Sequence, residues 1–320
     1  MKKFLKIVFI GSNSFSLFPL IELYIKRYNI IGIITNPDNN FNKNKSYSII
    51  KQYALKKNIP FLQPKNFLDP FFLEKLKKWN SDIQIVVSFK ILPKEIWNLP
   101  KLGTINLHPS LLPQYRGAAP INWAIINGEK KTGLTVFFIE KKIDSGKIII
   151  QKEVEIKKFE TAGQLEKRLR KLSGTIIIDS INKILNRNNS KYIIQNSIKN
   201  DIIKYAPKIF SKDCKILWNQ SIDDIYNKIR GLSPRPTAWT LLHFDIKKIV
   251  RLKIFLVKKK IKNHSYPIGL VLINLKKKEM YISVKKGFIN IIKCQIEGKK
   301  KMNVKNFING IKKIKNLFVR

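Results

Sequence analysis

Apolar and polar positions fall into short runs whose period changes along the chain. Residues 6–10 are a β-branched and aromatic run of strand length, and residues 18–28 then carry helical spacing. A second strand is predicted over 30–35, closed by Asn36-Pro37-Asp38. Residues 48–57 and 71–79 read as helices, 83–88 as a strand and 104–107 as another short one. Strands alternating with helices argue an open, mostly parallel α/β sheet. Such sheets bind ligands at the carboxyl ends of strands, where the strand order reverses. Gly11-Ser12-Asn13-Ser14 follows the first strand but lacks the later glycines of a dinucleotide fingerprint. It reads as a strand-to-helix turn capped by Ser or Asn, without a nucleotide cofactor.

Two more alternating runs, 134–139 and 147–156, flank the turn Asp144-Ser145-Gly146. A helix follows over 161–185, with Thr161 as its cap. Residues 186–206 are polar, rich in Asn and Lys, and read as a linker. Past Pro207 the pattern changes. One helix is predicted over 221–230, with Ser221 as cap and Asp223 and Asp224 in its first turn. Short strands over 239–244, 250–257, 269–273, 280–284 and 288–294 then suggest a small five-stranded barrel of the oligonucleotide-binding type. The expected division is a first domain over 1–185, a linker over 186–206 and a barrel domain over 207–320.

Composition adds a partner to this picture. The chain has 320 residues, of which 44% are hydrophobic, enough for a sizeable core and too apolar for a disordered chain. No apolar run is long enough to cross a bilayer. The basic start runs into only Ile7 to Ile10 before Gly-Ser-Asn, which is a strand and turn rather than a secretory leader. Cys214 and Cys294 are far apart and lack His neighbours, so no disulfide framework or metal site is expected, and a reducing cytoplasm suits the chain. The net charge is +42, from 63 Lys and Arg against 21 Asp and Glu. An AT-rich genome would raise Lys everywhere. Residues 207–320, however, carry 28 basic and 6 acidic residues, nearly double the charge density of residues 1–206, with 35 and 15. That asymmetry favours a polyanionic partner, with nucleic acid first.

The densest chemistry lies between Asn106 and Ile121. Asn106 and His108 are two apart at the end of a strand, so they face the same side. An amide donor and an imidazole converging on one point can stabilise an oxyanion and move a proton. Pro109 and Pro113 force the following loop out of regular structure, where backbone groups can meet a ligand. Asp144 sits in a turn just after a strand and, taken alone, is an ordinary turn residue. His243 and His264 lack such surroundings and read as structural.

Asn106-x-His108, Ser110-Leu111-Leu112-Pro113, Arg116-Gly117, Thr132-Gly133 and Asp144-Ser145-Gly146 together resemble the formyltetrahydrofolate-dependent formyltransferases. Ala118-Ala119-Pro120-Ile121, Tyr205-Ala206-Pro207-Lys208-Ile209, Ile216-Leu217-Trp218 and the segment from Arg230 to Trp239 are most similar to the branch that acts on methionyl-tRNA. The resemblance implies a Rossmann-like catalytic domain, a linker and an oligonucleotide-binding-like barrel. It implies a monomer with no metal, no membrane association, and 10-formyltetrahydrofolate as formyl donor. The acceptor would be the α-amine of methionine on initiator methionyl-tRNA, for translation initiation.

On this resemblance Asn106 and His108 donate to the developing oxyanion. Asp144 pairs with His108 and helps remove the amine proton through a water. Ser110, Leu111, Leu112 and Pro113 hold the folate. Phe89 falls at the family's aromatic position on the folate side, and Thr135 at a small hydroxyl position near the water. A basic loop over 36–47 would dock the tRNA acceptor arm. This chain supplies Lys43 and Lys45 there but lacks the glycines and the Arg of the family's loop. Lys acts as a point charge where Arg would make a bidentate fork. Ser88-Phe89-Lys90-Ile91 also departs from the family pattern, so the folate wall is expected to differ in detail. Two rival readings stand beside this one. In the first, the same chemistry serves a UDP-amino sugar. In the second, the chain is a catalytically degenerate, RNA-binding relative.

Overall fold

The computed structural model describes residues 4–38, 47–186, 191–195, 202–245, 248–310 and 317–320. Lys43 and Lys45 lie outside the described residues. The first elements are β1 (Lys6–Gly11), α1 (Ser14–Ile25), β2 (Asn29–Ile34), α2 (Ile49–Lys56), β3 (Phe61–Leu62), α3 (Pro70–Lys78), β4 (Ile83–Val87) and α4 (Lys94–Trp97). Next come β5 (Thr104–His108), β6 (Arg116–Gly117), α5 (Pro120–Ile126), β7 (Lys131–Phe138), β8 (Ile148–Glu155), α6 (Ala162–Leu185) and β9 (Tyr205–Ala206). The remainder is α7 (Ile222–Gly231), β10 (Ala238–Asp245), β11 (Lys248–Ile261), β12 (Val271–Asn274), β13 (Glu279–Val284), β14 (Gly287–Ile296), β15 (Met302–Asn303), α8 (Val304–Asn309) and β16 (Phe318–Val319).

The chain divides into two compact units. One comprises Met1–Gly117, Thr132–Val154 and Glu166–Tyr205; the other comprises Ala118–Lys131, Glu155–Leu165 and Ala206–Arg320. The first unit is built on a seven-stranded sheet in the order β3-β2-β1-β4-β5-β7-β8. β1 pairs in parallel with β2 and β4, and β4 in parallel with β5, while β7 runs antiparallel to β5. The order reverses between β1 and β4. All five residues of β4 are buried, as a strand covered on both faces requires.

Helix α1 begins four residues earlier than the apolar spacing predicts, at Ser14 rather than at residue 18. The cause is local. The Asn13 side chain accepts from the N–H of Phe15 and Ser16, and the Ser16 hydroxyl accepts from the Asn13 N–H, a reciprocal cap. These bonds are made by the turn after β1, so that turn serves helix initiation. At α6 the Thr161 hydroxyl accepts from Gln164 N–H at 3.4 Å, and the Gln164 side chain returns to the Thr161 N–H at 2.9 Å.

The second unit holds a nearly closed antiparallel barrel in the order β12-β13-β14-β11-β10-β16, with β15 added to β14. Its sixth strand, β16, had no counterpart in the sequence pattern, because two residues carry no period. β16 pairs with β10 through Leu242 and His243. On its other side Val319 N–H donates to Gly269 O, and Val271 N–H to Leu317 O, which brings the sheet round toward its own first strand. Inside lie Leu242, Leu252, Ile254, Met280, Ile282, Ile289 and Ile291 from the strands and Ile225 and Ile229 from α7. Each such side chain contributes roughly 1.5–3 kcal/mol relative to an exposed one. Ser221 caps α7 by accepting from Asp224 N–H. Within this unit α5 packs on α7, and Asn122 Nδ2 donates to Gly231 O at 2.7 Å.

Candidate active site

The end of β5 places the site. Asn106 is half-buried, whereas its strand neighbours Ile105, Leu107 and His108 are buried. Alternation aims Asn106 and His108 to one face. Among the described residues the Asn106 amide makes no hydrogen bond to the protein, so its donors are available to a ligand. His108 has a partner on each side of its ring. Nε2 lies 2.8 Å from Tyr115 O, which can only accept, so Nε2 carries a proton. Nδ1 faces Asp144 Oδ2 at 3.7 Å, too long for a hydrogen bond and close enough for charge contact.

Asp144 is held independently. Its Oδ2 accepts the Gly117 N–H at 2.9 Å. Its backbone has a φ of 50°, in the left-handed region that non-glycine residues seldom adopt. The turn lies flat against β7: a Cβ on Gly146 would sit 1.8 Å from Phe138 O. Thus Asn106, His108 and Asp144, separated by up to 38 positions in sequence, meet at one strand end.

The loop after β5 is ordered from within. Ser110 is fully buried and its hydroxyl donates to Gln114 O at 2.7 Å. Leu112 is buried too, as is Pro113, so of the four residues expected to hold folate only Leu111 is partly exposed. Ser110 and Leu112 are tied to neighbouring segments by hydrogen bonds. Leu111 also fixes the need for Gly133 beneath it, where a Cβ would lie 2.5 Å from Leu111 Cδ2 and 2.3 Å from Lys152 O.

The water-holding role expected of Thr135 needs correction. Thr135 lies opposite His108 on β7 and is fully buried. Its hydroxyl donates to Ser110 O (2.7 Å) and accepts from Leu112 N–H (3.2 Å) and Gln151 Nε2 (3.0 Å). One proton and two lone pairs are all a hydroxyl offers, so none is left for a water. Thr135 is a pin under the loop. Phe89 follows Ser88, whose φ is 50°, and its ring packs against Phe67 at 6.0 Å.

A cleft of about 710 Å³ opens at the same edge of this sheet, lined by Ser12, Asn36, Asp38, Ser48, Gln52 and Lys90 among others. It lies past the ends of β1, β2 and β4, where the strand order reverses and ligands are expected. Lys51 pairs with Asp38 in its wall and holds that carboxyl below the usual carboxylate range.

Sequence reasoning missed two glutamines. Gln151 on β8 donates to Leu112 O at 2.6 Å as well as to Thr135. Its signal was a polar residue just after the apolar start of a strand. Gln195 lies in the stretch read as linker, is 2% exposed, and bonds to Arg116, Asp144 and Gly146. Nothing in its polar surroundings marked it. Among the described residues no group of three His, Cys, Asp or Glu could hold a metal ion, and no helix is long and apolar enough to cross a membrane.

Residues 5–181 match the formyl transferase family and residues 208–312 the formyl transferase C-terminal domain. The methionyl-tRNA formyltransferase of Azobacteroides pseudotrichonymphae genomovar. CFP2 is 46% identical over 313 residues, 95% of this chain and 95% of that one. That of Flavobacterium johnsoniae is 45% identical over 309 residues, 96% of each chain. Among solved structures, the N-formyltransferase from Helicobacter canadensis, in complex with folinic acid and dTDP-3-aminofucose, is similar with a TM-score of 0.64 at 21% identity, covering 93% of this chain and 100% of that one. HypX from Aquifex aeolicus, in complex with tetrahydrofolic acid, gives 0.64 at 16% identity, covering 97% of this chain and 48% of that one. At those identities the two structures speak for the fold alone. With both family matches and near-full-length relatives of more than 40% identity, the chain belongs to the methionyl-tRNA formyltransferase family.

Proposed function

We infer that this protein transfers a formyl group from a formyl-folate to the α-amine of methionine on methionyl-tRNA. The observation that carries this is the near-full-length match to methionyl-tRNA formyltransferases, barrel included. The donor is read as 10-formyltetrahydrofolate and the tRNA as the initiator. The site residues fit such a donor: a half-buried amide at Asn106, a partly exposed Leu111 and, past β4, the Phe89 ring. The bound donor supplies an electrophilic formyl carbon.

The chain supplies the rest. Asn106 donates to the oxygen that gains charge as the amine attacks, and His108 completes the polar wall beside it. A preorganised donor such as Asn106 contributes roughly 3–4 kcal/mol. Asp144, with its carboxylate fixed by Gly117 N–H, accepts the proton that the amine releases, directly or through a water, and an equivalent proton goes to the folate nitrogen as its bond to the formyl carbon breaks. Ser110, Leu112 and Pro113 hold the backbone against which the folate rests, with Thr135 and Gln151 beneath. Thr135→Val keeps the shape and removes the pin, leaving Ser110 O and Leu112 N–H short of a partner at about 1–3 kcal/mol. We expect the KM for the folate to rise about tenfold, with the KM for tRNA little changed. An unaltered folate KM in steady-state assays would detach Thr135 from the donor site.

The barrel unit is the part suited to RNA. Residues 207–320 carry 28 basic against 6 acidic residues, and Arg251 lies 4.0 Å over the Trp239 ring. Lys43 and Lys45 are proposed as further tRNA contacts. The deciding experiment offers the purified protein a formyl-folate with methionyl-tRNA, glycinamide ribonucleotide or a UDP-amino sugar. Formylation of methionyl-tRNA alone is expected. Product with the sugar nucleotide would favour that branch. RNA binding without any product would mark a degenerate relative. The KM for tRNA is also expected to climb steeply with salt, by roughly 10³-fold or more between 50 and 200 mM if at least six phosphates are neutralised, while that for folate stays nearly flat.

A further inference from the structure

We propose that Gln195 is a positioning residue for formyl transfer, holding the Asp144 turn so that the carboxylate faces His108. The proposal rests on the functional reading above. Residues 191–195 do not run free past the sheet. Ile193 and Ile148 exchange backbone hydrogen bonds of 2.8 and 3.0 Å, extending the sheet at the start of β8. Tyr192 stacks edge-on against Phe138 at 5.2 Å. These contacts deliver the Gln195 side chain beneath the turn at 144–146, where it is 2% exposed.

There its amide is fully used. Nε2 donates to Asp144 O at 3.0 Å and to Gly146 O at 2.8 Å. Oε1 accepts from Arg116 Nε at 3.2 Å and Nη2 at 2.7 Å. The orientation is forced, because a guanidinium only donates and the two carbonyls only accept. Gln195 therefore ties together the strand pair Arg116–Gly117 and the turn that carries Asp144. Both ends matter to the same residue: Gly117 N–H holds Asp144 Oδ2 from one side, while Gln195 holds the Asp144 backbone O from the other.

The turn needs a clamp. Asp144 sits at a φ of 50°, a conformation that persists in a non-glycine residue when its surroundings over-determine it. Gln195 bonds to the carbonyls on both sides of Ser145, one of them that of the strained residue itself. With those donors removed, two carbonyls lose their partners and the turn is free to relax. The carboxylate would then leave its line to His108 Nδ1.

The test uses the full-length protein and two variants. Gln195→Met removes every bond. Gln195→Glu keeps the acceptors for Arg116 but sets carboxylate oxygens against the two carbonyls. Both are expected to lower kcat about 10- to 100-fold, as displacing a reacting group by about 1 Å does, with both KM values within about twofold. The discriminating readout is the same substitution placed in an Asp144→Asn background. If Gln195 acts through the Asp144 carboxylate, Gln195→Met added to Asp144→Asn lowers the residual rate by less than about twofold. A purely structural role would give the same fold-loss in both backgrounds and would overturn the proposal. So would normal kcat in Gln195→Glu. Should Gln195→Met fail to fold, Gln195→Glu carries the same cycle. Failure of the functional reading is distinguishable, because it shows as no formyl transfer by the unaltered protein.

Discussion

Replacing His108 with Ala, or Asp144 with Asn, is expected to lower formylation of methionyl-tRNA by about 10²- to 10⁴-fold while the protein remains folded. The two side chains reach the reaction differently. The His108 ring is fixed by Tyr115 O at 2.8 Å, and its other nitrogen faces Asp144. Truncation to Ala removes the polar wall beside Asn106. Asp144→Asn is nearly isosteric and can still accept from Gly117 N–H through its amide oxygen. What it loses is the negative charge and a site for the departing proton. Each tenfold in rate is about 1.4 kcal/mol of barrier, so the expected losses lie near 3–5 kcal/mol. Single-turnover formylation with a far-ultraviolet spectrum of each variant provides the check. Turnover within tenfold of normal in either variant would remove that residue from the mechanism.

Gly146→Ala is expected to cost both stability and catalysis. The reason is space rather than backbone freedom. A Cβ there would lie 1.8 Å from Phe138 O and 2.9 Å from Phe138 C, and both atoms belong to the backbone of β7. Backbone of a paired strand yields less readily than the end of a side chain. The turn must therefore lift from the sheet, carrying Asp144 two residues upstream. Overpacking of this kind costs about 1–3 kcal/mol. The displaced carboxylate is expected to reduce the rate about 100-fold. Thermal unfolding should show a fall of several degrees, and the assay should show the larger loss at fixed folded fraction. Normal activity would mean that the turn can move without disturbing the site.

Much of the candidate site is legible in the sequence. Strand alternation brings Asn106 and His108 to one face, and the two prolines around Ser110-Leu111-Leu112 mark an irregular loop. Asp144 was legible only through resemblance, because one turn Asp looks like any other. Thr135 shows the limit of pattern: alternation assigns it a face, but its bonds to Ser110, Leu112 and Gln151 come from three separate segments. Gln195 was not legible, since a polar residue among Asn and Lys reads as solvated whatever it touches. The fold class followed from period changes. β16 did not, since two residues show no period and pair only through neighbours far off in sequence.

The interleaving of the two units has a consequence for how this protein can change over generations. The unit that contains the barrel also owns Ala118–Lys131 and Glu155–Leu165. Within it Gly231 leaves no room for a Cβ against Ile126, and Trp123 Nε1 donates to Pro207 O at 2.8 Å. A gene fusion or exon-like exchange cut once between residues 186 and 206 would strand α5 without the helix that it packs on. The unit that contains the barrel cannot be traded as a cassette at a single crossover. Its inheritance includes segments that lie before residue 166 in sequence, and compensating substitutions are expected between positions 118–131 and 222–235 within this one unit.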